Sequence, residues 1–169
     1  IDELIEQHRT ASGLNEDAYT AVVSEHLRWT MSELHQAMRS TLLRQEVAFS
    51  IDEDAAKTAQ RVGDLLEDGQ SLEQVVESLG DEVEYQPTIT VPEDNSDGGL
   101  SVAATDLEAG EVSGAIKTLA GDGYYFIMRH AGDSEMISYS YIRIPLTVFK
   151  QQFAELRDSE KTRLFIEIE

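Results

Sequence analysis

The spacing of apolar residues changes near residue 80, and that change limits the folds open to this chain. Before that point apolar residues recur three and four positions apart; after it they mostly alternate, with a return to helical spacing at Phe149, Phe153 and Leu156. Two periods in separate stretches predict an α+β fold, with most helices in the first half.

The helical half carries its own punctuation. Asn15 is placed to cap a helix whose Tyr19, Val22, Val23, His26 and Leu27 share one face. Thr30 and Glu33 form the capping-box pair of a second helix, with Leu34, Met38, Thr41 and Leu42 as its inner stripe. Ser50 with Glu53 repeats the signature ahead of Ala55, Ala59, Val62, Leu65 and Leu66, and Gly69 closes that helix. Ser71 with Gln74 opens a short helix carrying Leu72, Val75, Val76 and Leu79, which Gly80 stops. Amphipathic helices like the first two cannot bury their apolar faces alone.

Beyond residue 80, Val83, Tyr85, Ile89 and Val91 alternate, and Pro87 and Pro92 confine them to short or edge strands. Residues 92–99 read as a polar loop. Strands are expected at 113–118 and 124–129, joined through Gly121, Asp122 and Gly123, and a third at 137–144 that Pro145 ends. Phe149, Phe153 and Leu156 then share the face of a last helix, and Leu164, Ile166 and Ile168 alternate as a final strand.

Charge and composition exclude several functions. Asp and Glu number 33 against 13 Lys and Arg, a net charge of −20. Nucleic acid and anionic membrane surfaces need clustered cations, so neither is an expected partner. The absence of cysteine removes disulfides, thiolate zinc ligands and thiol nucleophiles. His8, His26, His35 and His130 have no metal or triad spacing. Glu93, Asn95, Asp97 and Gly98 imitate the start of a calcium loop, but Ala104 stands where the bidentate carboxylate is required, so the stretch reads as an acidic turn. No nucleophile elbow or phosphate loop is present, and neither metal nor cofactor is expected. The chain opens on Ile1, and Ile1, Leu4 and Ile5 read as the end of a helix begun upstream. The expectation is a fragment whose N-terminal targeting or anchoring segment is missing, its one route to a membrane.

One stretch resembles a known family. Leu107, Gly110, Glu111, Val112, Ser113, Ile116 and Thr118, followed by Gly123, Tyr124 and Ile127, resemble the closing segment of parvulin-type prolyl isomerase domains. Residues 55–79, two helices broken at Gly69, look like the parvulin helical pair. Residues 15–47, and Phe153 to Arg157 with 164–168, are similar to the discontinuous helical chaperone domain of SurA and PrsA-like foldases. The resemblance implies a chaperone part at 1–50 completed by 146–169, with a parvulin-like insert at 51–145.

Departures from the family pattern matter for chemistry. Tyr125 stands where active parvulins carry a histidine, and nothing between Val47 and Ile51 supplies the second one. The 100–107 segment is too short for the family's proline pocket; the 137–144 strand is either an addition or a substitute for the missing first strand. An isomerase must stabilise a twisted amide over a barrier of about 18–20 kcal/mol, and with pocket and histidines gone little differential binding is left. The resemblance therefore implies an extracytoplasmic holdase or foldase for unfolded or nascent exported polypeptides, catalytically degenerate, with client contacts from Tyr19, Trp29, Met31 and Met38. An active peptidyl-prolyl isomerase, or an assembly module with one dedicated partner, are the alternatives.

Overall fold

The computed structural model describes residues 1–92, 95, 97–118, 121–131 and 136–159, leaving out the side chains of Glu3, Leu4, Gln7, His8 and Ala11. Its contacts divide the chain into two units, Ile1–Glu46 and Val47–Glu169.

The first unit is helical: α1 (Asp2–Ala11), α2 (Glu16–Glu25) and the larger part of α3 (Met31–Ile51). The expected caps are in place. The Asn15 side chain accepts from the Ala18 N–H at 2.9 Å. The Thr30 N–H donates to the Glu33 carboxylate at 2.7 Å, and the Glu33 N–H returns a bond to Thr30 Oγ1 at 3.2 Å. Arg9 donates to the Leu14 carbonyl at 2.7 Å, pinning α1 to the turn before α2. Ile5, Tyr19, Val23 and Leu34 form the small core, with Leu14, Met31 and Met38 packed against it. The buried stripe of α2 is narrower than its sequence predicts, because Val22, His26 and Leu27 are exposed and only Tyr19 and Val23, one turn apart, are buried.

The second unit holds α4 (Glu53–Glu67), α5 (Leu72–Leu79), β1 (Glu84–Pro92), α6 (Leu100–Thr105), β2 (Ile116–Lys117), β3 (Gly123–Arg129), β4 (Met136–Pro145) and α7 (Val148–Arg157). The four strands make one antiparallel sheet in the order β1-β4-β3-β2. The mixed α+β class expected from the two periods is therefore what forms. Alternation in the strands sends successive side chains to opposite faces, and each face has its own core. Phe126, Ile142 and Ile144 join Ala59, Val62, Leu72 and Val75 of α4 and α5. Tyr125, Ile127, Ile137 and Tyr139 join Leu100 and Ala104 of α6. Burying each large apolar side chain contributes about 1.5–3 kcal/mol, so β4, apolar on both faces, anchors the sheet. It pairs with β1 on one side and β3 on the other, so the 137–144 strand is central and not an edge addition.

Several elements differ from their sequence pattern. Ser50 does not cap α4: α3 runs on to Ile51, the Ser50 hydroxyl bonds back to the Val47 carbonyl at 2.9 Å, and Asp52 takes the cap by accepting from Ala55 N–H at 3.1 Å. The two short pieces expected at 83–91 are one edge strand, with a register shift between Gln86 and Ile89 around Pro87, which has no N–H to donate. The 113–118 strand shrinks to Ile116–Lys117 plus an isolated bridge from Val112 to Met128. Helix α6 was not expected; six residues are too few to show a period. The β3 hairpin does need its glycine, since a Cβ at Gly123 would sit 2.5 Å from the Ile144 carbonyl oxygen. The expected strand at 164–168 lies outside the described residues.

Candidate functional site

The sheet face under α6 carries the position that the family resemblance singles out. Tyr125 is buried there on β3, and its hydroxyl donates to the Asp122 carboxylate at 2.8 Å. Asp122 also accepts from Thr118 Oγ1 at 2.9 Å and pairs with the Arg143 guanidinium at 3.0 Å, and Arg143 reaches on to Glu84 at 2.7 Å. The Tyr141 ring lies 5.4 Å from that of Tyr125. Burial, followed by the bond and charge of Asp122, pushes the Tyr125 hydroxyl well above the ordinary phenol range. The group is thus a protonated donor whose one proton is spent on Asp122.

A second tyrosine repeats the arrangement. Tyr139, fully buried, donates to Asp97 at 2.6 Å. Asp97 also accepts from the Ser101 N–H at 3.1 Å and from Asn95 Nδ2 at 3.0 Å. Desolvation works to raise the Asp97 pKa, but the bonds from Tyr139, Ser101 and Asn95 outweigh it and hold the carboxyl below its usual range. Asp97, from the stretch that imitates a calcium loop, therefore anchors α6, its carboxylate accepting from Tyr139, Ser101 and Asn95. Among the described residues no three His, Asp or Glu side chains converge as metal ligands.

The residues expected to touch clients separate into two groups. Tyr19 lies in the core of the first unit with Met31 and Met38 packed against it. Trp29 is outside that cluster and 41% exposed.

Exposed apolar side chains also line a groove in the second unit. Val47 and Ile51 at the end of α3, with Phe149, Gln152, Phe153 and Leu156 of α7, line an open groove of about 370 Å³. Phe153 is 59% exposed and Leu156 55%. The Phe149 and Phe153 rings stack at 6.2 Å, which stiffens the α7 wall. What positions α7 is a single buried carboxylate. Asp52 accepts from the Thr147 and Val148 N–H groups at 2.8 and 3.1 Å while also capping α4. Thr147 uses no side-chain cap of its own, because Asp52 already serves the α7 N-terminus. The stripe of Phe149, Phe153 and Leu156 was readable from its spacing, whereas the exposure of Phe153 and Leu156 and the Asp52 clamp were not.

Fold and site together define an α+β protein with a helical unit, a helix-covered antiparallel sheet and an exposed apolar groove. No protein-family model, curated protein or solved structure matches the chain.

Proposed function

We propose that this chain is an extracytoplasmic folding factor that holds unfolded or nascent exported polypeptides in the groove formed by α3 and α7. The observation that carries the reading is the groove itself: Val47, Phe153 and Leu156 leave large apolar side chains open to solvent in a chain of net charge −20. Apolar surface kept exposed on a strongly charged, soluble body suits transient binding of other apolar surface. In this reading residues 51–145 are the parvulin-like part, residues 1–50 and 146–169 the chaperone part, and Tyr125 the remnant of a catalytic position. The bond from Tyr125 to Asp122 supports a structural role for that hydroxyl.

The test is suppression of aggregation of a chemically unfolded protein. Several-fold molar excess of the chain should slow aggregation, and Phe153→Glu or Leu156→Glu should weaken the effect without lowering the melting temperature, since both side chains are exposed. No suppression at any ratio would refute the holding function. In a Xaa-Pro peptide assay the chain should match buffer; acceleration that disappears in Tyr125→Phe would restore the isomerase reading.

A further inference from the structure

The groove belongs to the more acidic of the two units. Val47–Glu169 contains 25 of the chain's 33 acidic residues and 9 of its 13 basic ones. Part of that excess starts beside the groove. Ile51 leads through Asp52 straight into α4, whose first turn exposes Glu53 and Asp54 and whose far end exposes Asp64, Glu67 and Asp68. The two basic residues of α4 are engaged: Lys57 with Glu53 and Asp54 at 3.7 and 3.4 Å, and Arg61 with Glu82 at 2.7 Å. On α7 the charges nearly cancel, Lys150 and Arg157 standing against Glu155 and Asp158, with Arg157 paired to Asp158 at 2.9 Å. The apolar groove is therefore followed in sequence, two residues after Ile51, by the start of an acidic helix.

Building on the holding function, we propose that the groove selects apolar segments flanked by lysine or arginine. The apolar stretch covers Val47, Phe153 and Leu156, and the basic flank answers the acidic excess of the unit, which begins at Glu53 and Asp54. Each such exposed pair contributes little by itself; the summed field of the unit steers the encounter and sets the preference. The same charge argues against a second copy as occupant, because each copy carries the same acidic excess. It argues likewise against an anionic bilayer.

Two fluorescent peptides with one Leu- and Phe-rich core, flanked by lysines or by glutamates, test this by anisotropy on the intact chain. At low salt the lysine-flanked peptide should bind about tenfold more tightly. The gap should close near 1 M salt, where the screening length falls to about 3 Å. Neutralising the start of α4 with Glu53→Gln and Asp54→Asn together should narrow the gap, whereas Phe153→Glu, or Leu156→Glu as a second variant, should weaken both peptides alike. Equal, salt-independent binding of the two peptides would overturn the charge preference and leave the holding function standing. Absence of binding together with absence of aggregation suppression would overturn both. A dimer in sedimentation that Phe153→Glu disperses would assign the groove to a second copy and refute the proposal.

Discussion

Replacing Asp52 with alanine should loosen the second unit at two places far apart in sequence. The side chain is 2% exposed and accepts three backbone N–H bonds, one at the start of α4 and two at the start of α7. Loss of a helix N-cap costs about 1 kcal/mol. The Thr147 and Val148 donors lose bonds to a charged acceptor, about 1.5–3 kcal/mol each when buried. Thr147 is exposed and Val148 half-buried, so water recovers part of that. The sum is about 3–5 kcal/mol, a large share of the 5–15 kcal/mol that holds a typical domain together. Melting followed by circular dichroism should fall by about 10–20 °C for a unit of this size. Asp52→Asn keeps one acceptor oxygen and should lie between the two. Hydrogen exchange adds location: α7 amides should lose protection before those of β3 and β4, because α7 has no buried residue of its own. A melting temperature unchanged in Asp52→Ala would show that water replaces the carboxylate and that the double cap is incidental.

Three further outcomes follow from the same coordinates. Gly123→Ala places a Cβ 2.5 Å from the Ile144 carbonyl oxygen and should destabilise by about 1–3 kcal/mol, read by urea titration. Tyr139→Phe strips Asp97 of a fully buried donor and should cost about 1.5–3 kcal/mol, while Tyr125→Phe, whose Asp122 partner keeps Thr118 and Arg143, should cost about 0.5–1.5 kcal/mol; a reversed order in denaturant melts would contradict the network described. Because the folded-state pKa of Asp97 is depressed, the stability it lends is complete above its unfolded value of about 3.9 and is lost as pH falls through the lower folded value. Wild-type stability should therefore drop more steeply than that of Asp97→Asn at acid pH, and parallel curves would argue against the assigned bonds.

Local signals gave the elements, and for a local reason. The Asn15 cap, the Thr30–Glu33 and Ser71–Gln74 boxes and the Gly80 stop each bond within a few residues of themselves, so spacing alone displays them. The change of period near residue 80 likewise set the α+β class, since side-chain direction in helices and strands is a property of the backbone repeat. What the sequence could not show depends on partners far along the chain. Ser50 and Asp52 are both acceptable caps in sequence. Asp52 caps α4 through one oxygen and, with the other, accepts from Thr147 and Val148, some 95 residues later, a second duty no local spacing displays. Asp97 reads as one more acid in a polar loop until Tyr139 and Ser101 close on it and α6 forms above the sheet. Phe149, Phe153 and Leu156 carry the same apolar stripe whether buried or bare. The exposure of Phe153 and Leu156 was decided by tertiary packing, because a helical period records which side chains share a face and not what, if anything, covers it.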